Sequence, residues 1–253
     1  FATDVSNASR TMLFDIRTLR WSPEMCAMFG VNIDSLPQVV PSSARIGVTV
    51  GDGAIPAGVA ISGVAGDQQA ALFGQACFTA GSAKNTYGTG SFVLLNVGTT
   101  CPAPTPGMLT TVAWQLGNEP AVYALEGAIF VTGAAVQWLR DGLNIISVAS
   151  ELGPLAESVA DTGGVVLVPA FAGLGSPWWD PYARGAILGI TRGTTRAHIA
   201  RAVVESMVFQ TRDVTDAMTR ASGVAIRDLR VDGGAAVMNL MLQMQEVPSK
   251  DSQ

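Results

Sequence analysis

The sequence predicts a mixed α/β fold, and three observations carry that expectation. Short apolar runs of strand length alternate with segments of helical periodicity along the chain, the pattern of an α/β or mixed-sheet architecture. One segment, 197–221, places Ile199, Val203, Met207, Gln210, Val214 and Met218 at three- and four-residue steps, a single long helical stripe. The composition is 48% hydrophobic and 14% charged, against a usual ~25% charged, so the chain can bury enough surface to offset its ordering entropy.

Taken in order, Thr11–Phe14 is a short apolar run and reads as a strand. Ser22-Pro23-Glu24 gives an N-cap with proline at the first helical position, and Gly30 supplies a stop. Residues 41–58, with Gly47, Gly51, Gly53 and Gly58, read as a loop or strand pair of low intrinsic order. Val59–Val64 is short and apolar. From Asp67 a helix is expected to pack through Ala70, Ala71, Phe73, Gly74 and Cys77. Asn85–Gly90 reads as a glycine-punctuated turn leading into a strand over Ser91–Val97. Thr110–Trp114 and Ala121–Leu125 flank Gly117-Asn118, a hairpin signal.

Helices are then expected over Ala128–Asp141 and near Ile145–Ala160, with strands at Val165–Val168 and Ala186–Ile190. The long helix ends at Gly223. Leu229–Val231 reads as a strand, Asp232-Gly233-Gly234 as a turn and Ala236–Gln245 as a helix. No internal repeat appears at a fixed period.

Several function classes are disfavoured. The net charge is −5, and the 15 Lys and Arg are scattered singly, whereas a nucleic-acid surface needs clustered base. The longest uncharged stretches, Asn85–Asn118 and Thr162–Trp179, are broken by Gly, Pro and Thr, so no membrane span is expected. Cys26, Cys77 and Cys101 are well separated and fit small hydrophobes in a reducing compartment. With no leader recognised at Phe1, a cytoplasmic location is expected. His198 is the only histidine, so an HExxH zinc site is impossible, and its place at a helix start suits a terminal polar residue. Chemistry is left to carboxylates, backbone amides and an external metal.

Three local features could carry it, each beside a plainer reading. Gly88-Thr89-Gly90 opens a strand, where missing or short side chains let backbone amides approach an anion, or it is an ordinary hairpin turn. Asp232-Gly233-Gly234 lies between strand and helix, where unpaired N–H groups favour a phosphate, or it is a tight connection. Asp67 opens a helix, either as an N-cap or as a carboxylate able to take a proton or hold a metal-bound water. Glu126, Asp180 and Glu205 are expected to be solvated or paired locally. Tyr87, Trp178 and Trp179 are expected to serve packing.

The segments Gly66-Asp67-Gln68-Gln69-Ala70-Ala71-Leu72-Phe73-Gly74 and Lys84-Asn85-Thr86-Tyr87-Gly88-Thr89-Gly90 closely resemble the FGGY carbohydrate kinases, in their glycerol-phosphorylating branch. Tyr123-Ala124-Leu125-Glu126-Gly127, Gln137-Trp138-Leu139-Arg140-Asp141 and Trp179-Asp180-Pro181-Tyr182-Ala183-Arg184-Gly185 continue the likeness. So do Gly185–Ile190, His198-Ile199 and Ala202–Glu205, and the opening Thr3-Asp4 with Asn7-Ala8-Ser9-Arg10-Thr11. The resemblance covers about residues 1–245 in the right order and spacing.

It implies part of an actin-like, ribonuclease H-like ATPase fold, shared by sugar kinases, Hsp70 and actin. Residues 1–76 would be the end of the N-terminal domain and 77–253 most of the C-terminal one, within a longer protein. The implied reaction is ATP-dependent, Mg2+-assisted phosphorylation of glycerol to glycerol 3-phosphate, in a homo-oligomer when complete. By resemblance, Asp67 is the general base and meets the metal through water, and Gln68 also touches glycerol. Gly88 and Thr89 face the ATP phosphates, and Gly133, Gln137 and Gly234 contact the nucleotide. Met238 stands where the family often has Asn, which alters the adenine side. Alternatives are another FGGY polyol or sugar kinase, a nucleotide-binding piece without catalysis, and a chaperone-like ATPase of the wider fold.

Overall fold

A computed structural model of the chain describes residues 1–51 and 53–246. The chain begins with β1 (Ala2–Asp4), α1 (Val5–Ala8), β2 (Phe14–Asp15), β3 (Arg20–Trp21) and α2 (Pro23–Met28). Next come β4 (Gln38–Val40), β5 (Ser43–Val48), β6 (Ala60–Gly63) and α3 (Asp67–Gly74). The central strands are β7 (Ser82–Tyr87), β8 (Ser91–Gly98), β9 (Leu109–Trp114) and β10 (Val122–Ile129). The remainder comprises α4 (Gly133–Gln137), α5 (Leu152–Glu157), β11 (Val166–Val168), β12 (Ala186–Leu188), α6 (Arg196–Ser222), β13 (Asp228–Gly233) and α7 (Asn239–Gln245).

Five strands form one sheet in the order β13-β7-β8-β10-β9, and the other strands pair in twos. β9 and β10 are the hairpin that Gly117-Asn118 announces, with Gly117 at φ +53° and the register Leu109↔Glu126 through Tyr123↔Val112. β1 runs parallel to β4, pairing Asp4 with Val40.

Two compact units emerge. The first comprises Phe1–Ala83, Leu94–Pro104 and Leu109–Glu126. Its core has one cluster around Val5, Ala8, Phe14, Val112 and Tyr123, and another around Leu72, Cys77, Leu94, Ala113 and Trp114. α2 starts as read: Ser22 Oγ accepts the Met25 N–H, Pro23 is first in the helix, and Gly30 lies past its end at φ +67°.

The second unit comprises Lys84–Val93, Thr105–Met108 and Gly127 onward. α6 is its spine, burying Val203, Met207, Val214 and Met218 completely; fully burying one such side chain contributes about 1.5–3 kcal/mol. Both ends are fixed locally. The Thr195 N–H donates to His198 Nδ1 at 3.1 Å, and Gly223 closes the helix at φ +68°. His198 is thus a helix-start residue, as read.

Other expectations need correction. The first strand lies at Ala2–Asp4, and the 11–14 run contributes only Phe14 to β2. α3 buries Gln69 and Leu72, while Phe73 is 39% exposed, because the helix lays its first turn on buried polar partners. Asn85–Tyr87 belong to β7, so the turn is confined to 88–90. The helix expected over 128–141 starts only at Gly133, since β10 continues to Ile129. The helix near 145–160 shrinks to Leu152–Glu157. Trp178 and Trp179 are 63% and 42% exposed and so are not core packing, whereas Tyr87 is buried. Residues 247–253, beyond the last expected helix, lie outside the described residues.

Candidate functional site

In the first unit, α3 carries the carboxylate that the sequence singled out. Asp67 is not the N-cap. Gly66 occupies that position with extended backbone, and Asp67 is the first helical residue. Its carboxylate is exposed, and among the described residues Oδ1 accepts only the N–H of its neighbour Gln68, at 2.8 Å. No ion pair with Asp67 occurs among the described residues. The helix entry beneath it is held firmly. The Gly66 N–H donates to Ser6 Oγ at 2.8 Å, and Gln69 Nε2 donates to Thr111 Oγ1 at 2.8 Å. A Cβ on Gly66 would overlap Gln69 Oε1, so a side chain there would force the Gln69 amide to shift. Gln68, beside Asp67, is half-buried.

The six other expected residues lie in the second unit. The Gly88-Thr89 turn is docked on the start of α4. Gly88 O accepts the Gly133 N–H at 3.0 Å, and Thr89 O accepts the Thr132 and Ala134 N–H groups at 3.0 and 2.9 Å. Thr132 Oγ1 adds a bond to Gly88 O at 3.2 Å and accepts from Ser91 Oγ at 3.1 Å. The first amides of α4 are therefore engaged internally, and whatever Gly133 offers a ligand comes through its missing side chain. Glycine is needed there in any case, because a Cβ would overlap Gly88 O. The Thr89 N–H meets no acceptor among the described residues, and both Gly88 and Thr89 are exposed. Gln137, four residues beyond Gly133 and exposed, shares its helix face.

Asp232-Gly233-Gly234, read from sequence as a turn, is instead the end of β13 (Asp232 and Gly233) followed by a 3-10 turn that opens at Gly234, and it comes against the same strand end. Gly233 adopts φ +89°, and a Cβ on it would overlap the Tyr87 backbone. Gly234 is exposed, has no positive φ, and has open space where a Cβ would be. Nothing among the described residues requires glycine at 234, which sets it apart from its neighbour. Met238 caps α7 by accepting the Leu242 N–H at 3.2 Å and packs half-buried on the unit's core. The structure thus brings Gly88, Thr89 and Gly133 together and sets Gly233-Gly234 beside Tyr87.

Two residues near these turns were undervalued by sequence. Tyr87 is buried; its hydroxyl lies 3.3 Å from Thr211 Oγ1 and accepts from Gln245 Nε2. Burial pushes its phenol above the usual tyrosine range, and bonds with Thr211, Gln245 and Asn85 partly oppose that. Thr132 is buried just before α4, and only the helix placement hid its capping position. Glu126, expected to be solvated or locally paired, is buried. Its Oε1 accepts from Arg10 Nη2 at 2.9 Å, and Oε2 has no partner among the described residues. Asp180 and Glu205 do pair locally, with the Tyr182 and Ala183 amides and with Arg201. All three cysteines are free.

Among the described residues, no group of three or more His, Cys, Asp or Glu could hold a metal, and no helix is long and apolar enough to cross a membrane.

Residues 1–74 match the N-terminal domain of the FGGY family of carbohydrate kinases, and residues 83–245 match its C-terminal domain. The chain is 57% identical over 243 residues to glycerol kinase of Saccharolobus islandicus (strain M.14.25), covering 96% of this chain and 48% of that protein. Glycerol kinase of Citrifermentans bemidjiense is also 57% identical, with 96% and 49% covered. Among solved structures, Plasmodium falciparum glycerol kinase with ADP superposes with a TM-score of 0.90 at 39% identity, over 96% of this chain and 49% of that one. A xylulose kinase from Brucella ovis, 24% identical with a TM-score of 0.85 over 97% of this chain and 50% of that one, shares the fold. The chain spans about half the length of the curated relatives it matches.

Proposed function

The chain belongs to the FGGY family of carbohydrate kinases and carries part of their actin-like ATPase fold, and from that premise we propose that it serves ATP-dependent phosphorylation of glycerol to glycerol 3-phosphate. Residues 1–76 are the end of the N-terminal domain and 77–253 most of the C-terminal one. The complete enzyme works in the cytoplasm as a homo-oligomer.

Phosphoryl transfer asks a protein for positioning and charge neutralisation more than for covalent chemistry. Asp67 takes the proton of the attacking glycerol hydroxyl, and Gln68 holds glycerol beside it. The exposed Asp67 carboxylate, bonded among the described residues only to an adjacent amide, is open to an incoming hydroxyl. Gly88 and the unengaged Thr89 N–H face the phosphates, where an amide without an internal acceptor stabilises an anion. Gly133 and Gln137 line the nucleotide along one helix face, and Gly234 admits it closely. Met238 gives the adenine side an apolar contact where relatives of this family often place an amide.

Mg2+ usually keeps several waters and binds one or two carboxylates together with substrate phosphates, and a single exposed carboxylate at Asp67 fits that mode better than a protein cage would. When bound, it would neutralise phosphate charge. The observation that carries the nucleotide reading is Gly234, a glycine that no contact among the described residues demands. Glycerol as the acceptor is supported by the 57% identity to glycerol kinases.

The test is calorimetry with ATP and ADP on the 253-residue chain, beside a coupled assay with glycerol, ATP and Mg2+. Nucleotide binding without turnover is expected, because the chain spans half of its relatives. Turnover would show that this half suffices. Absence of binding would remove the nucleotide assignment from the isolated chain.

A further inference from the structure

Asp4 is a fully buried carboxylate that the proposed chemistry leaves unused. We propose that Asp4 is a positioning residue for Asp67, acting through the Ser6 hydroxyl and the Gly66 amide. The inference rests on the proposed role of Asp67 as general base.

Five donors converge on Asp4. Oδ2 accepts the Ser6 N–H at 3.0 Å and the hydroxyls of Ser6 and Ser42, each at 2.6 Å. Oδ1 accepts the Asn7 N–H at 3.0 Å and Asn7 Nδ2 at 2.7 Å. No cation pairs with it among the described residues. A serine hydroxyl has one proton and two lone pairs. Donation to Asp4 fixes the Ser6 proton and turns a lone pair toward the Gly66 N–H, 2.8 Å away. Ser42 repeats the device, donating to Asp4 while its oxygen accepts the Gln115 N–H at 3.3 Å. The carboxylate thus orients two hydroxyls as acceptors for backbone amides, one of which belongs to the residue just before Asp67.

That bond matters because of what Asp67 lacks. Among the described residues its side chain has no partner beyond its own turn, so its place is set by where the backbone enters α3. Gly66 is the joint: its N–H is held by Ser6, and its carbonyl accepts the Ala70 N–H at 2.8 Å, the first bond of the helix. With the Gly66 amide released, the base can shift by a fraction of an ångström, and misplacement of this kind weakens the chemical step more than binding.

Ser6→Ala and Asp4→Asn, made in the complete enzyme, test this directly. Ser6→Ala removes the acceptor with little change of volume. In Asp4→Asn an amide that can itself donate faces the hydroxyls. Each should lower kcat by roughly 10- to 100-fold while the Kd for ATP and the KM for glycerol stay within about twofold. In the 253-residue chain, Ser6→Ala should speed amide hydrogen exchange at Gly66 at least about tenfold while core amides of β9 keep their protection. An unchanged kcat in Ser6→Ala, alongside loss of turnover in Asp67→Asn, would overturn the proposal. So would exchange that rises uniformly across the first unit, which marks a structural role alone. Turnover surviving in Asp67→Asn would instead overturn the base assignment, a separable failure because the exchange at Gly66 does not depend on activity.

Discussion

The start of α3 in the first unit and the glycine turns of the second are built on opposite principles. At α3 the chain places a carboxylate by means of side chains: Asp4, Ser6 and Gln69 hold the backbone on which Asp67 stands. In the turns it brings backbone against backbone by leaving side chains out, at Gly133 over Gly88 and at Gly233 over Tyr87. The first design is sensitive to deleted atoms and the second to added ones. The contrast also divides the glycines. Those at 133 and 233 serve the fold whatever else they do, whereas no contact among the described residues demands glycine at 234, where we propose that a nucleotide does.

The largest expected effect sharpens the first half of this comparison. Asp67→Asn in the complete enzyme keeps the helix and its size but removes the base, so kcat should fall by about 10²–10⁴-fold with the Kd for ATP unchanged. Steady-state kinetics beside calorimetry measure both, and an unaltered kcat would leave Asp67 a surface residue.

Next come the paired glycines. Gly233→Ala adds a Cβ that overlaps the Tyr87 backbone at φ +89°. Overpacking and left-handed strain together should cost about 2–5 kcal/mol, read as a lowered urea midpoint. Gly234→Ala should leave that midpoint in place yet weaken nucleotide binding by about tenfold, since the new methyl group meets only the ligand. Equal destabilisation by the two would break the division between fold glycines and ligand glycines.

What the sequence disclosed follows from how local each feature is. The stripe of α6, its Gly223 stop, the Ser22 cap and the Gly117 hairpin are written within a few residues, and each appears where it was read. The boundary between β10 and α4 was misread for a physical reason. β10 is buried on both faces from Tyr123 to Ile129, so it shows no alternation and looks like an apolar helix start. Glu126 and Asp4 were illegible in another way. Glu126 is paired with Arg10, 116 positions away, and Asp4 is joined to Ser42, 38 positions away. No window of sequence shows that such a carboxylate is buried. At the candidate site, the residue types and turns could be read, but not which amides were already engaged. Only the structure reveals that α4 gives its first N–H groups to Gly88 and Thr89.

Tyr87 links the two glycine turns, and it supplies the smallest effect and the finest test of the backbone-built region. Its ring fills the core beside Gly233, while its hydroxyl joins Thr211 of α6 to Gln245 of α7. Tyr87→Phe keeps the ring and deletes the link, which should cost about 1 kcal/mol near neutral pH. The pH dependence isolates the hydroxyl. Burial raises the folded-state pKa above the ordinary value of 10.0, so above that pH the unfolded chain releases a proton that the folded chain retains. The stabilisation is complete below the unfolded value and is lost as pH rises through the folded one. Between neutrality and pH values above about 10, the parent chain should therefore lose more stability than Tyr87→Phe, and the gap between the two should narrow. Urea titrations across that range read the difference directly. Parallel curves would mean that the phenol is not held neutral by its surroundings, and that the turns are joined by the ring and backbone alone.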